Sequence, residues 1–207
     1  MKKILLILAC LLGLEANGQQ KQLTETELKN AQMQIRMTIT NLASYIERLG
    51  NSEMAGGASP QEKVKLLKYV KRSFYEFSYR YVTVSRQSGL KRIKADSYFY
   101  NLAAQGSKSD GKLRVYKIDA DEVFLSKKVL NPMNYKLVNA QGGVRRYKIT
   151  IPVQQVYLMT NSQYSPERTN NNTIIEKDRK YVDVFVLVDD EGDVLCKLGN
   201  INIKWNK

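Results

Sequence analysis

One apolar stripe at helical spacing constrains this fold more than any other feature of the sequence. Its large aliphatic residues follow one another at intervals of seven, four, three, four and three positions: Leu28, Ile35, Ile39, Leu42, Ile46 and Leu49. These intervals place all of them on one face of an α-helix. The preceding Thr24-Glu25-Thr26-Glu27 is a capping box, in which Thr24 and Glu27 satisfy each other's backbone amides. The pattern predicts a helix over residues 25–49 with Gly50 as its C-cap. The polar residues beside the stripe favour packing on a sheet over a coiled coil.

A second helix is predicted to start at Ser59-Pro60-Gln61-Glu62. This stretch supplies a serine cap, a proline at the first helical position and a glutamate at the third. The buried face is expected to consist of four apolar residues: Val64, Leu67, Val70 and Phe74. Between residues 77 and 84 the apolar period changes from helical to alternating, which indicates that a strand begins there.

The remainder of the chain has the character of β structure. Predicted strands cover residues 113–118, 123–125 and 144–159, the last with a bend or bulge at Pro152. Residues 98–102 fit a short strand or a helical turn, and residues 165–178 form a polar loop. A hairpin is predicted from residues 181–188 and 194–205 around a turn at 189–193. Two helices followed by strands predict an α+β domain, with two N-terminal helices packed on a curved, mainly antiparallel β-sheet that ends in a C-terminal hairpin.

This order of elements resembles a known superfamily. A long helix, a break at Leu49-Gly50-Asn51, a second helix and long strands ending in a hairpin are similar to the nuclear-transport-factor-2-like cone and its cystatin-like relatives. The helix exit Tyr45-Ile46-Glu47-Arg48-Leu49-Gly50-Asn51 also resembles exported bacterial domains of that kind. The resemblance implies a cone that encloses a small-molecule pocket, acts as an enzyme or mediates assembly. Enzymes of the superfamily often use an Asp–His pair, and this chain has no histidine.

The first 18 residues have the three parts of a secretory signal. Met1-Lys2-Lys3 is cationic, residues 4–14 are apolar, and Ala16-Asn17-Gly18 offers small residues for cleavage. We therefore predict a signal peptide over 1–18 and a single α+β domain over 19–207, exported to the periplasm or the cell exterior. Lipidation at Cys10 is the disfavoured alternative, because the residues after Cys10 remain apolar. The sequence after the leader contains no second hydrophobic span that predicts a transmembrane helix.

Composition narrows the possible chemistry. With no histidine among its 207 residues, the chain lacks the commonest general base and the commonest metal ligand. Serine–histidine and cysteine–histidine catalysis are therefore excluded. Cys196 is the only thiol outside the leader, and its alternating surroundings predict a half-buried strand residue rather than a reactive thiol. We predict no catalytic residues, no metal site and no cofactor.

A strong positive charge is the most prominent candidate signal for binding. The chain carries 33 Lys and Arg against 20 Asp and Glu, and residues 63–94 contain a single acid, Glu76. A solvated face is the simplest explanation. The functional alternative is an anion-binding surface, for which we single out Lys65, Lys68, Arg72, Arg80 and Arg92. Lys65, Lys68 and Arg72 share the exposed face of the second helix. An envelope protein or an anionic glycan is the expected partner, and nucleic acid is disfavoured for an exported protein.

Aromatic and acidic residues supply two further candidates. A pocket inside a cone would be lined by aromatic side chains, for which we single out Tyr98, Tyr100, Tyr116, Tyr147 and Trp205. Filling of the core is the competing explanation for these residues. Calcium is the only metal that the acidic runs suggest, at Asp119, Asp121 and Glu122 and in the 189–193 turn. Neither run has the spacing of a calcium loop, and an ordinary hairpin turn explains the second one.

These observations lead to one functional hypothesis and two alternatives. We expect an exported, non-enzymatic domain that binds or assembles with another cell-envelope component. The first alternative is a small-ligand or anionic-glycan binding protein that uses the concave sheet and its basic rim. An enzyme with carboxylate or tyrosine chemistry is the least favoured alternative. The assembly hypothesis predicts a filled cone with an exposed apolar or basic patch. The ligand-binding alternative predicts an open cavity with aromatic walls. The enzyme alternative predicts buried ionisable groups close together within such a cavity.

Overall fold

A computed structural model describes residues 22–86, 89–108, 112–120, 122–161 and 174–203 of the chain. The described helices are α1 (Glu25–Gly50), α2 (Pro60–Ser73), α3 (Ala95–Gly106) and α4 (Glu122–Leu130). Short 3₁₀ turns lie at Glu53–Ala55, Phe77–Tyr79 and Pro132–Asn134. The predicted signal peptide, Cys10 and Trp205 lie outside the described residues.

Seven described strands form one curved, half-barrel-like sheet. They are β1 (Tyr81–Arg86), β2 (Gly89–Lys94), β3 (Lys112–Asp119), β4 (Lys136–Gln141), β5 (Val144–Asn161), β6 (Ile174–Val188) and β7 (Val194–Ile203). The order across the sheet is β2-β1-β7-β6-β5-β3, and β4 pairs with the part of β5 that β3 leaves free. The β1–β7 pair is parallel and the other pairs are antiparallel. The predicted α+β architecture with a C-terminal hairpin is confirmed.

Helix α1 covers the inner face of the sheet with the predicted stripe. Five of the stripe residues are at most 1% exposed: Ile35, Ile39, Leu42, Ile46 and Leu49. The helix contacts β3, β6 and β7, and the alternate residues of β6 that face it are fully buried: Val182, Val184, Val186 and Val188. One continuous apolar core therefore lies between α1 and the sheet.

The first turn of α1 is fastened to the sheet by a charged pair. Glu27 completes the predicted capping box with Thr24 and also binds the Arg145 guanidinium of β5 through both carboxylate oxygens. Arg145 in turn donates to the Tyr147 hydroxyl at 3.2 Å. Burial would raise the pKa of Glu27, but the hydrogen bonds from Arg145 and Thr24 outweigh it and hold the pKa below its usual value. A single carboxylate thus caps the helix and joins it to the sheet.

Gly50 does not cap α1, contrary to the sequence prediction. It is the last helical residue, and Asn51 is the C-cap, with its amide donating to the Glu47 carbonyl at 2.9 Å. A Cβ at position 50 would lie 2.5 Å from Tyr116 Cδ2 and 2.8 Å from Leu102 Cδ1. The residue is therefore glycine because β3 and α3 approach the helix backbone closely, and no left-handed turn is involved.

Helix α2 has the predicted serine cap, but its buried face is shifted by one residue. Val64 is 58% exposed, whereas Lys63 and Leu66 are buried beside the expected Val70. The Lys63 amine donates to the Asn51 carbonyl at 3.3 Å and to Ser107 Oγ at 3.4 Å. Lysine takes the place of an apolar residue here because its amine satisfies polar groups where α1 ends.

Residues 98–102 are helical, which is one of the two alternatives that the sequence left open. They belong to the full helix α3, in which Tyr98, Phe99 and Leu102 are buried at helical spacing. Residues 123–125 were predicted as β structure and lie in α4 instead. Leu125 and Val129 of α4 are buried four positions apart, and the short apolar run 123–125 did not reveal this spacing.

Three predictions about the strands also need correction. The register between β5 and β6 runs unbroken through Pro152, so no bulge occurs there. Pro152 lies between the stretches of β5 that pair with β4 and β3, where one side of the strand needs no donor. The predicted 165–178 loop is too long, because β6 begins at Ile174. The strand predicted to begin near residue 77 starts at Tyr81, after a 3₁₀ turn.

Replacing Glu27 with glutamine tests the charged link between α1 and β5. We expect E27Q to lower the free energy of unfolding by about 1–3 kcal/mol at pH 7, because hydrogen bonds between charged groups are lost. The native pKa lies below 4.5, so the contribution is complete above that pH and is lost as the pH falls through and below it. The free energies of unfolding of wild type and E27Q, measured by urea denaturation, should therefore become equal in acid. The exposed control E25Q should resemble wild type, and an E27Q deficit that persists unchanged in acid contradicts the assignment.

Candidate functional sites

The predicted anion-binding residues do not form one surface. Lys65, Lys68 and Arg72 are exposed on α2, as expected. Arg92 is exposed on the edge strand β2, with its guanidinium 4.0 Å from the centre of the Tyr81 ring. Arg80 is largely buried, with its side chain only 14% exposed. The structure thus divides the basic segment between a helix face, a sheet edge and the outer face of the sheet.

A groove of about 250 Å³ lies between α1, α2 and β7, and we call it the helix groove. Its apolar lining includes Met37 and Tyr45 from α1 and Tyr69 from α2. Arg72 and Lys197 supply the charged part of the lining, which contains no acidic residue. Met37 and Tyr69 are 54% and 52% exposed, so large apolar side chains remain open to solvent. The groove joins the predicted basic helix face to an apolar surface that sequence analysis missed.

The walls of the helix groove are fixed by local hydrogen bonds. Lys197 Nζ donates to the Arg72 carbonyl at 2.7 Å, which ties β7 to the end of α2. Ser73 Oγ donates to the Tyr69 carbonyl at 2.9 Å. Because the Lys197 bond uses the backbone of Arg72, the Arg72 guanidinium does not take part in it. The floor includes Cys196, where burial raises the pKa of the thiol to about 12 and leaves it unreactive at neutral pH.

The predicted pocket aromatics occupy different places. Tyr98 and Tyr116 come together on the inner face of the sheet. Tyr147 is 1% exposed and lies beside Arg145 beneath the start of α1, while Tyr100 is 63% exposed on the outside of α3. The ring of Tyr116 stacks on Tyr157 at 4.4 Å, and its hydroxyl donates to Gln105 Oε1 at 3.0 Å.

A buried polar cluster surrounds Tyr98, and we call it the inner cluster: Tyr98, Gln155 and Lys180. All three side chains belong to residues at most 8% exposed. The Tyr98 hydroxyl and Gln155 Oε1 have no hydrogen-bond partner in the described part of the chain. Gln155 lies close enough to lower the pKa of Tyr98, although the two groups do not meet the geometry of a hydrogen bond. Orphaned polar atoms at such depth are rare in folded proteins.

Lys180 brings a buried cation into the inner cluster. Its Nζ lies 5.4 Å from the centre of the Tyr98 ring. Burial lowers the pKa of Lys180 to about 8, against a smaller opposing effect of Asp178. Burial also raises the pKa of Tyr98 to about 12, so the phenol stays neutral at physiological pH. The cluster therefore combines a lysine that titrates near neutrality with a phenol that remains a hydrogen-bond donor.

The outer face of the sheet carries a second cluster of cations and aromatic rings, which we call the outer cluster: Tyr75, Arg80, Arg146 and Phe185. The Arg146 guanidinium lies 4.4 Å from the centre of the Tyr75 ring. Arg80 lies 5.2 Å from that ring and 4.8 Å from Phe185. Arg80 also donates to the Tyr75 carbonyl at 2.6 Å and to Glu76 at 3.1 Å. Arg146 Nε is buried with no partner among the described residues.

The acidic runs do not assemble a metal site in the described residues. Asp119 ends β3, Asp121 lies outside the described residues, and Glu122 begins α4. Asp189 Oδ1 accepts from the Asp193 amide at 2.8 Å, which is an ordinary use of a carboxylate in a hairpin turn. Across the described ranges, no three acids or thiols come together as metal ligands.

Sequence analysis missed Lys180, Gln155 and Arg146. Lys180 and Gln155 stand where the alternation of β6 and β5 points toward the core, and a polar residue in an inward register was the available signal. Arg146 lies outside the basic segment, and its stacking on Tyr75 depends on tertiary contact. No sequence pattern links residues 75 and 146.

No protein-family model, curated protein or solved structure matches the chain. Among the helices that the structure describes, none is both long and apolar enough to cross a membrane.

Replacing Lys180 with methionine tests whether the inner cluster holds a buried charge. Below pH 8 the lysine is charged in both the folded and the unfolded state, so its burial penalty is complete. We expect K180M to be more stable than wild type at pH 7 by about 3 kcal/mol. From pH 8 to 10.5 the folded state releases its proton first, and wild type should gain stability relative to K180M. Urea unfolding at several pH values measures this difference. The exposed control K117M should show little change, and a difference independent of pH contradicts a buried ammonium.

Proposed function

We propose that the protein is an exported, non-enzymatic module that assembles with another cell-envelope protein through the helix groove. The observation that carries the proposal is a groove with exposed apolar side chains and two cations but no acid. Export rests on the sequence of residues 1–18, which has the parts of a secretory signal.

The filling of the inner face supports a role on the outside of the fold. The α1 stripe and the inward residues of β6 occupy the space in which a cone-shaped enzyme would hold its substrate. Apolar side chains that remain exposed in a groove are typical of protein-binding surfaces. Met37 and Tyr69 are of the kinds enriched at such interfaces.

The charge of the groove indicates the chemistry of the partner. Arg72 and Lys197 lie in the lining, and Lys65 and Lys68 extend the positive surface along α2. An acidic segment that also carries apolar side chains complements both properties. The formal net charge of +13 for the whole sequence, or +12 without Lys2, Lys3 and Glu15 of the leader, favours encounter with such a partner.

Site-specific photo-crosslinking in cells tests this assignment. A photoreactive residue at position 37 should give one discrete adduct with an envelope protein, identified by mass spectrometry. The control position is 54, because Met54 is 87% exposed and does not line the groove. The purified partner should then bind R72E at least about tenfold more weakly than wild type. K94E makes the same charge change on β2 and should alter affinity less than about twofold. Equal crosslinking at both positions, or equal affinity of R72E and K94E, contradicts the proposal.

The inner cluster favours a second candidate function, the binding of a small ligand. The orphaned Tyr98 hydroxyl and Gln155 Oε1 offer a donor and an acceptor, and Lys180 offers a cation. A small carboxylic acid with a hydroxyl group would satisfy all three.

A high-resolution crystal structure of the purified protein distinguishes this candidate from a hydrated core. Electron density larger than one water and in contact with all three side chains supports a bound ligand. The density should be absent from crystals of Y98F and K180M. A single bridging water, or no density, contradicts ligand binding, because one water satisfies such groups in many folded proteins.

A further inference from the structure

The outer cluster contains an arginine, Arg146, whose Nε has no hydrogen-bond partner among the described residues. Arg146 Nε is buried and lacks a partner, although a guanidinium normally bonds through several of its five donors. The stack on Tyr75 at 4.4 Å holds the plane of the guanidinium in place. Because Nε itself is covered, an anion outside the chain would meet the guanidinium at its Nη1 and Nη2 edge.

The neighbouring Arg80 differs from Arg146 because its guanidinium forms hydrogen bonds within the chain. It lies against the same Tyr75 ring, but its Nε donates to the Tyr75 carbonyl and its Nη2 to Glu76. Arg80 therefore serves the fold, and it holds the ring on which Arg146 rests. Tyr75 itself is fixed by its amide, which donates to the Leu198 carbonyl at 2.9 Å. Because Arg80 is engaged within the fold, we assign the anion-binding role predicted for it to Arg146 instead.

The charges along β5 indicate an extended ligand. Lys148 follows Arg146 on the same face of the strand, and residues two apart on a strand are about 7 Å from each other. A simple oxyanion contacts one of the two cations, whereas a polymer with repeated anionic groups contacts both. The Lys148 side chain is 40% exposed, and its ion pair with Asp183 is long at 3.8 Å. A polymer can therefore compete for it.

We propose that Arg146, stacked on Tyr75 and followed by Lys148, binds an anionic polysaccharide on the outer face of the sheet. The guanidinium takes a carboxylate or sulfate group in the two-pronged manner typical of arginine. This site lies on the opposite side of the sheet from α1 and the inner cluster. It is independent of the helix groove, and its failure would leave the proposed assembly function untouched.

Isothermal titration of the full chain with defined oligosaccharides tests the site. Oligogalacturonate presents carboxylates, heparin-derived oligosaccharide presents sulfates, and dextran oligosaccharide presents neither. We expect binding of at least one of the two acidic sugars and none of dextran. R146Q should weaken that binding at least about tenfold, and R146K, which keeps the charge but loses the fork, about fivefold. The matched control R92Q removes another guanidinium stacked on a tyrosine and should change affinity less than about twofold.

A direct readout in the wild-type protein keeps the test independent of variant folding. The ¹⁵N resonance of Arg146 Nε should shift on addition of the acidic sugar, together with the ring protons of Tyr75. Several outcomes overturn the proposal: equal effects of R146Q and R92Q, binding of dextran, or an unmoved Arg146 resonance. Response to inorganic sulfate alone, or tighter binding of a single-stranded oligonucleotide of equal charge, also overturns it.

Discussion

The burial of one helix face against one sheet face determines the rest of this structure. The stripe of α1 and the valines of β6 pack together and fill the part of the half-barrel that lies between them. The capping box at Thr24 and the Glu27–Arg145 link set where the helix begins, and the close approach at Gly50 sets where it ends. With both ends fixed, α1 acts as the filling of the half-barrel, and the remaining helices close around it.

This filling separates the molecule into places where polar groups serve the fold and places where they are free to bind. Lys63 and Glu27 are buried but satisfied, because each holds polar partners where α1 ends or begins. The inner cluster and Arg146 differ, since each contains buried polar atoms that no described residue completes. The helix groove differs again, because large apolar side chains there remain exposed to water. These three places account for our proposals.

Much of the fold was predictable because local rules and tertiary packing agree over long elements. The capping boxes at Thr24 and Ser59, the α1 stripe and the C-terminal hairpin were read from short-range patterns and are confirmed. The errors arose where tertiary partners decide. Lys63, and not the predicted Val64, lies on the buried face of α2 because its amine bonds to the Asn51 carbonyl at the end of α1. The short run 123–125 is part of helix α4 and not of a strand. Among the site residues, Arg72 was found from helical spacing, whereas Arg146 needed the structure.

Amide hydrogen exchange tests the central claim that α1 permanently fills the sheet. The account predicts that amides in residues 31–49 exchange as slowly as those of β6 and β7, because helix and hairpin open as one cooperative unit. It also predicts that cavity-creating I39A accelerates exchange in all three elements together. Exchange of α1 about a hundredfold faster than that of the hairpin would show a helix that detaches alone. Such a result would contradict the filled inner face on which the account depends.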